Sequence, residues 1–196
     1  MKKILLLLLF FPLMFFSQDL QPDEFIWSKE RKLRKEDYKL ITHNEHVSIK
    51  SAISFSYQLR GYNALSNNFN RKIINKFSTN ASSINPDASN IPAMIEYQQV
   101  NFDLAEVYAR RMRKDLLIHK NTIWKGFAYA NEMFNSLTAE YIKAQGLLDS
   151  ETNYGLNAQK LEDWKQKIKT ELDELSDFDY NNTSKIKIKK DSKEDN

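Results

Sequence analysis

Between Pro92 and Gly126 the chain carries no glycine and no further proline. Within that stretch Ile95, Phe102, Ala105, Ala109 and Met112 fall at helical spacing. A run this long without a breaker commits the middle of the chain to one long helix, and the rest of the fold must be built around it. Asn90 suits the N-cap and Pro92 the first turn, so the spacing predicts a helix over 92–117. A second helix is expected over 121–145, carrying Trp124, Phe127, Phe134, Leu137 and Tyr141. After a loop at 148–155, a third is expected over 157–175, with the stripe Leu161, Trp164, Ile168, Leu172 and Leu175.

Ahead of the helices the period changes from 3.6 to 2. Val47, Ile49, Ser51, Ile53, Phe55 and Tyr57 occupy alternate positions, which is the pattern of a half-buried strand over 47–60. A shorter strand is expected at 73–77, and the Ser-, Asn- and Pro-rich residues 78–90 read as a loop. Strands first and helices after is the order of an α+β fold: a small antiparallel sheet followed by three main helices. A doubly wound sheet would alternate the two.

The N-terminus reads as a leader. Lys2 and Lys3 precede the apolar run Ile4 to Phe16, which is too short to span a bilayer, and Ser17 and Gln18 open a polar region. The expected division is a signal peptide at 1–17, one domain at 18–175 and a disordered, charged tail at 176–196. A membrane anchor is the alternative to cleavage. With the leader removed no integral membrane segment is expected, and the product would be secreted or periplasmic. The chain has no cysteine, which excludes a lipid-anchored cysteine, a disulfide and a thiolate metal site. Of 29 basic residues two lie in the leader, leaving 27 against 26 acidic ones, a balance that gives no reason to expect a nucleic-acid partner.

Residues 96–114 carry the most informative pattern. Phe102, Asp103, Ala105, Glu106, Tyr108, Ala109, Arg110 and Arg113 fit a helix of the form H-E-Q-x-H-F-D-I-A-E-x-Y-A-R-x-x-R. Asp149, Thr152 and Gly155 fit a loop of the form D-x-x-T-x-H-G, and Ile26-Trp27 with Asp37-Tyr38 fits an opening segment. In these segments, and in their order, the chain resembles the secreted zinc-dependent peptidases grouped as domain of unknown function 922. That resemblance implies a zincin-like fold. It also implies a metal site built from two helix histidines, a third histidine from the loop, and a glutamate as general base.

This chain departs from the pattern at every one of those positions. The helix ligands are Tyr97 and Asn101, the base is Gln98, and the loop ligand is Tyr154. An amide has no carboxylate to accept a proton, and neutral Tyr and Asn are poor zinc ligands beside imidazole. The expectation is a catalytically inactive, exported peptidase-like protein with no cofactor, although active relatives would hold zinc. It would act as a binding or accessory module for a protein or peptide partner. Tyr97, Asn101 and Tyr154 are expected to form a hydrogen-bonded cluster in place of the ion. Asp103, Glu106 and Arg110 remain as possible supporting residues, with Glu106 and Arg110 spaced for an ion pair. The alternative is an active metal-dependent hydrolase with rearranged ligands, drawn from Asp103, Glu106, Glu151 and a histidine. His43, His46 and His119 lack a pattern that favours this, and His119 suits the C-terminal end of the long helix.

Overall fold

The computed structural model describes residues 20–43, 48–59, 68–123 and 126–188. The fold is α+β. Its centre is the long strand β4 (Ile73–Ile84), flanked on one side by β1 (Glu24–Ile26) and β2 (Leu40–Ile41) and on the other by β3 (Ile49–Tyr57). The helices follow: α1 (Ile91–Ile118), the single turn α2 (Lys120–Ile123), α3 (Ala128–Thr152) and α4 (Ala158–Glu174). No helix of the described residues is long and apolar enough to cross a membrane, and residues 1–17, where a signal peptide was expected, lie outside the described ones.

The sheet is mixed, where an antiparallel one was expected. β1 and β3 run antiparallel to β4, with Phe25 and Ile53 both opposite Phe77. β2 runs parallel to it, with Leu40 opposite Ser83. The reversal is made by the segment between β1 and β2. There Asp37 accepts from the Arg34 backbone N–H at 2.8 Å and from both terminal nitrogens of Arg31 at 3.1 and 2.8 Å. That knot turns the chain before it rejoins the sheet.

β4 continues through residues expected to be a loop. Its polar end is held by hydroxyl chemistry: Ser82 Oγ donates to the Ser78 carbonyl at 2.6 Å and accepts from the Ala52 N–H at 2.9 Å. These bonds sit at the irregularity between Lys50 and Ala52, where β3 advances two positions while β4 advances five, from Ser83 to Ser78, and the ladder bends.

Helix α1 was legible almost to the residue. The second helix was not: Gly126, at φ +152°, separates α2 from α3, a conformation costly for any residue with a Cβ. α3 then runs on to Thr152 through the expected loop. Leu148 and Thr152 are buried, and Asn153 ends the helix in the left-handed conformation. At the start of α4 the Asn157 side chain caps the Lys160 N–H at 3.1 Å.

α1 lies between two apolar clusters. Phe102 faces the sheet among Trp27, Leu33, Tyr38, Phe77 and Ile84. Leu104, Val107, Met112 and Leu116 face α3 and α4, with Leu148, Leu161, Trp164 and Ile168. Residues 176–188 were expected to be a disordered tail, but they pack on this core. Phe178 is buried, and its carbonyl accepts from Arg113 Nη1 at 2.9 Å. Residues 189–196 lie outside the described ones.

Candidate functional site

Tyr97 and Asn101 are one helical turn apart on α1, and both are buried against α3. A buried phenol needs a partner for its hydroxyl. Tyr97 finds one in Asp149, to whose Oδ1 it donates. The neighbouring Asn101 Oδ1 accepts from Tyr141 Oη at 3.1 Å. Burial, and then the hydrogen bond to Asp149, push the Tyr97 phenol well above the ordinary tyrosine range. Tyr141 is raised as well, first by burial and then by the charge of Asp149. Both hydroxyls are therefore held as donors and not as phenolates.

The turn after α3 closes over Tyr97. Gly155 has φ +87°, and a Cβ built on it would stand 2.6 Å from Tyr97 Cβ. Its N–H donates to Thr152 Oγ1 at 3.0 Å. Only glycine fits both the backbone angle and the gap. Gly155→Ala is expected to destabilise the fold by about 2–4 kcal/mol, the combined scale of backbone strain and overpacking. Urea unfolding measures it, and a loss below about 1 kcal/mol would mean that the turn does not press on Tyr97.

The sequence-predicted positions thus meet, although in a different arrangement from the expected Tyr–Asn–Tyr cluster. Tyr154 is near enough to Tyr97 to act on it electrostatically, yet the residue is 65% exposed and its φ is +54°. The partners of Tyr97 and Asn101 come from α3. Gln98 is half-buried beside them. Donors of this kind do not fit zinc: one protonated phenol, one amide oxygen already accepting a hydrogen bond, and one tyrosine turned to solvent. Asp149 and Tyr141 were the residues that sequence reasoning missed. The signal for Asp149 was present, since a buried tyrosine requires an acceptor and the adjoining loop offers a carboxylate.

The supporting residues separate. Asp103 lies two positions beyond Asn101, about 200° further round the helix, where its Oδ1 accepts from Trp27 Nε1 at 2.6 Å and from Gln99 Nε2 at 2.7 Å. Burial raises the pKa of its carboxyl, while Lys32, Trp27 and Gln99 oppose the rise. Glu106 is buried, with Oε1 accepting from Arg110 Nε at 3.1 Å and Arg113 Nη1 at 2.6 Å. Arg110 also pairs with Asp179 and donates to the Leu172 carbonyl at 2.9 Å. Glu151 accepts from Trp164 Nε1 at 2.8 Å. Among the described residues, no three His, Asp or Glu side chains gather as ligands of one ion. His43 is exposed and His46 is outside the described residues, while His119 caps α1 through its backbone and lies tilted against the Tyr129 ring.

In comparisons with known proteins, no family model, no curated protein and no solved structure matches the chain.

Proposed function

We infer that this chain is an exported, non-hydrolytic binding or accessory module on a zincin-like, zinc-peptidase-like frame, with a protein or peptide as its partner. One observation carries the reading. Tyr97, Asn101 and the turn holding Tyr154 and Gly155 converge, yet Tyr97 and Asn101 are paired with Asp149 and Tyr141. Two segments distant in sequence, α1 and the turn after α3, meet here at the positions where the peptidase-like frame would bring its ligands together, which supports the reading. Gln98, where the base would stand, supplies no carboxylate. The leader-like N-terminus supports export.

The experiment restores the four side chains together: Tyr97→His, Gln98→Glu, Asn101→His and Tyr154→His. Histidine is smaller than tyrosine, and it tolerates the left-handed backbone at position 154 better than most residues. The purified wild-type protein is expected to carry no stoichiometric zinc and to cleave no peptide, while the fourfold variant takes up about one zinc per chain. Elemental mass spectrometry reads the metal, and circular dichroism confirms that the variant is folded. Equimolar zinc in the wild type, or peptide cleavage abolished by a chelator, would overturn the non-hydrolytic reading. A folded fourfold variant that binds no zinc would overturn the peptidase-like frame.

A further inference from the structure

A cleft of about 480 Å³ opens on the other side of α1, between the segment after β1 and helix α4. It is of the size that encloses a small organic molecule. Trp27, Val100, Ile168 and Leu172 give it an apolar floor. Nothing in it depends on the Tyr97 cluster.

The charges around the cleft decide what it takes. Each carboxylate is already engaged. Glu162 is 2.8 Å from Lys165, and Asp173 is 3.0 Å from Lys169. Asp179 pairs with Arg110, and Asp103 accepts from Trp27 and Gln99. The lining holds the cations Lys29, Lys32, Arg110, Lys165 and Lys169 against these four carboxylates, so one positive charge is left over, and the two lysines on the segment after β1 are the least firmly paired. Lys29 makes no hydrogen bond or ion pair among the described residues, beyond a through-space attraction to Asp173. Lys32 stands 3.7 Å from Asp103 Oδ2, well beyond the roughly 2.7–2.9 Å of a tight charge-assisted bond. The uncommitted charge is therefore positive, and it borders apolar surface. A cationic ligand would have to break a pair that already exists, whereas an anion would complete one.

We propose that this cleft binds a small amphipathic organic anion, with its apolar body on Trp27, Ile168 and Leu172 and its acidic group at Lys29 and Lys32. The same chemistry belongs to an aliphatic acid and to the C-terminus of a short apolar peptide, and the probes separate them. Purified ¹⁵N-labelled protein is titrated with decanoate, kept below its micelle concentration, with N-acetyl-phenylalanyl-leucine, and with decyltrimethylammonium. The Trp27 indole N–H, which bonds Asp103 beside the cleft, is the reporter, and the Trp164 indole, bonded to Glu151, is the internal control.

At least one of the two acids is expected to saturate a single site, shifting the Trp27 signal and leaving Trp164 in place. The tighter of the two identifies the source. The cation is expected to bind at least about tenfold more weakly, and the double variant Lys29→Glu/Lys32→Glu to lose about tenfold in affinity for the acid. Both lysines are exposed, but Lys32→Glu puts a carboxylate beside Asp103, so Lys29→Gln/Lys32→Gln is measured alongside with the same loss expected, and the amide spectrum reads the fold of each variant. Equal binding of the cation, unchanged affinity in the double variant, or no saturable shift of Trp27 with either acid would each overturn the proposal.

Discussion

Glu106→Gln is expected to lower the unfolding free energy by about 3–5 kcal/mol, the scale of breaking a buried ion pair from one side. The substitution keeps the shape of the side chain and an oxygen where Oε1 now sits, so packing and hydrogen-bond geometry are nearly conserved. What disappears is the charge. Arg113 is fully buried, and its other acceptors are the carbonyls of Ile73 and Phe178. Glu106 is therefore its only carboxylate partner among the described residues. Arg110 fares better because it retains Asp179. The cost should accordingly run through Arg113. In a double-mutant cycle with Arg113→Met, the two losses should fall short of additivity by about 1–3 kcal/mol. Urea denaturation followed by far-ultraviolet circular dichroism measures all four proteins. A loss below about 1 kcal/mol for Glu106→Gln would show that this carboxylate does not carry the buried guanidinium.

The same cluster explains which parts of the molecule the sequence disclosed. Helix α1 was legible because its apolar residues recur at one period and nothing interrupts them. Glu106 and Arg110 were legible as a pair because a spacing of four puts them on one helix face. Their burial was not legible, since it depends on β4 and on residues 176–188 closing over them. β4 was cut short in the reading because Ser78, Asn80, Ser82 and Ser83 look like loop residues. In the fold the Ser82 hydroxyl bridges the Ser78 carbonyl and the Ala52 N–H, a tertiary use that propensity does not encode. The candidate site divides in the same way. Tyr97 and Asn101 were singled out by the resemblance to the peptidase helix, whose ligand positions lie four apart on one face. Asp149 and Tyr141, which complete their hydrogen bonds, come from a helix whose register against α1 no local pattern reveals. Tyr154 was expected inside and stands outside, because the left-handed turn that seats Gly155 against Tyr97 swings the preceding ring to solvent.

Removal of residues 176–196 is expected to cost more than about 4 kcal/mol. Composition alone makes this deletion look harmless, since it discards polar, charged sequence. The contacts of residues 176–188 say otherwise. Phe178 is buried in the main core, and losing a buried phenylalanine costs about 3–5 kcal/mol. The deletion also strips acceptors from groups that stay behind. Arg113 loses the Phe178 carbonyl, and Arg110 loses Asp179. Asn70, fully buried, loses the carbonyls of Asp177 and Asn182, at 2.9 and 3.1 Å. A buried donor left without a partner costs about 1–3 kcal/mol more. For a domain whose total stability is of order 5–15 kcal/mol, that sum takes most of the margin. Phe178→Ala in the full chain isolates the packing part and should account for the larger share of the loss. Thermal and urea unfolding of the three proteins read the outcome. If the 176–196 deletion unfolds at the wild-type midpoint, residues 176–188 do not hold the helices to the sheet, and the buried arginines must find their acceptors elsewhere.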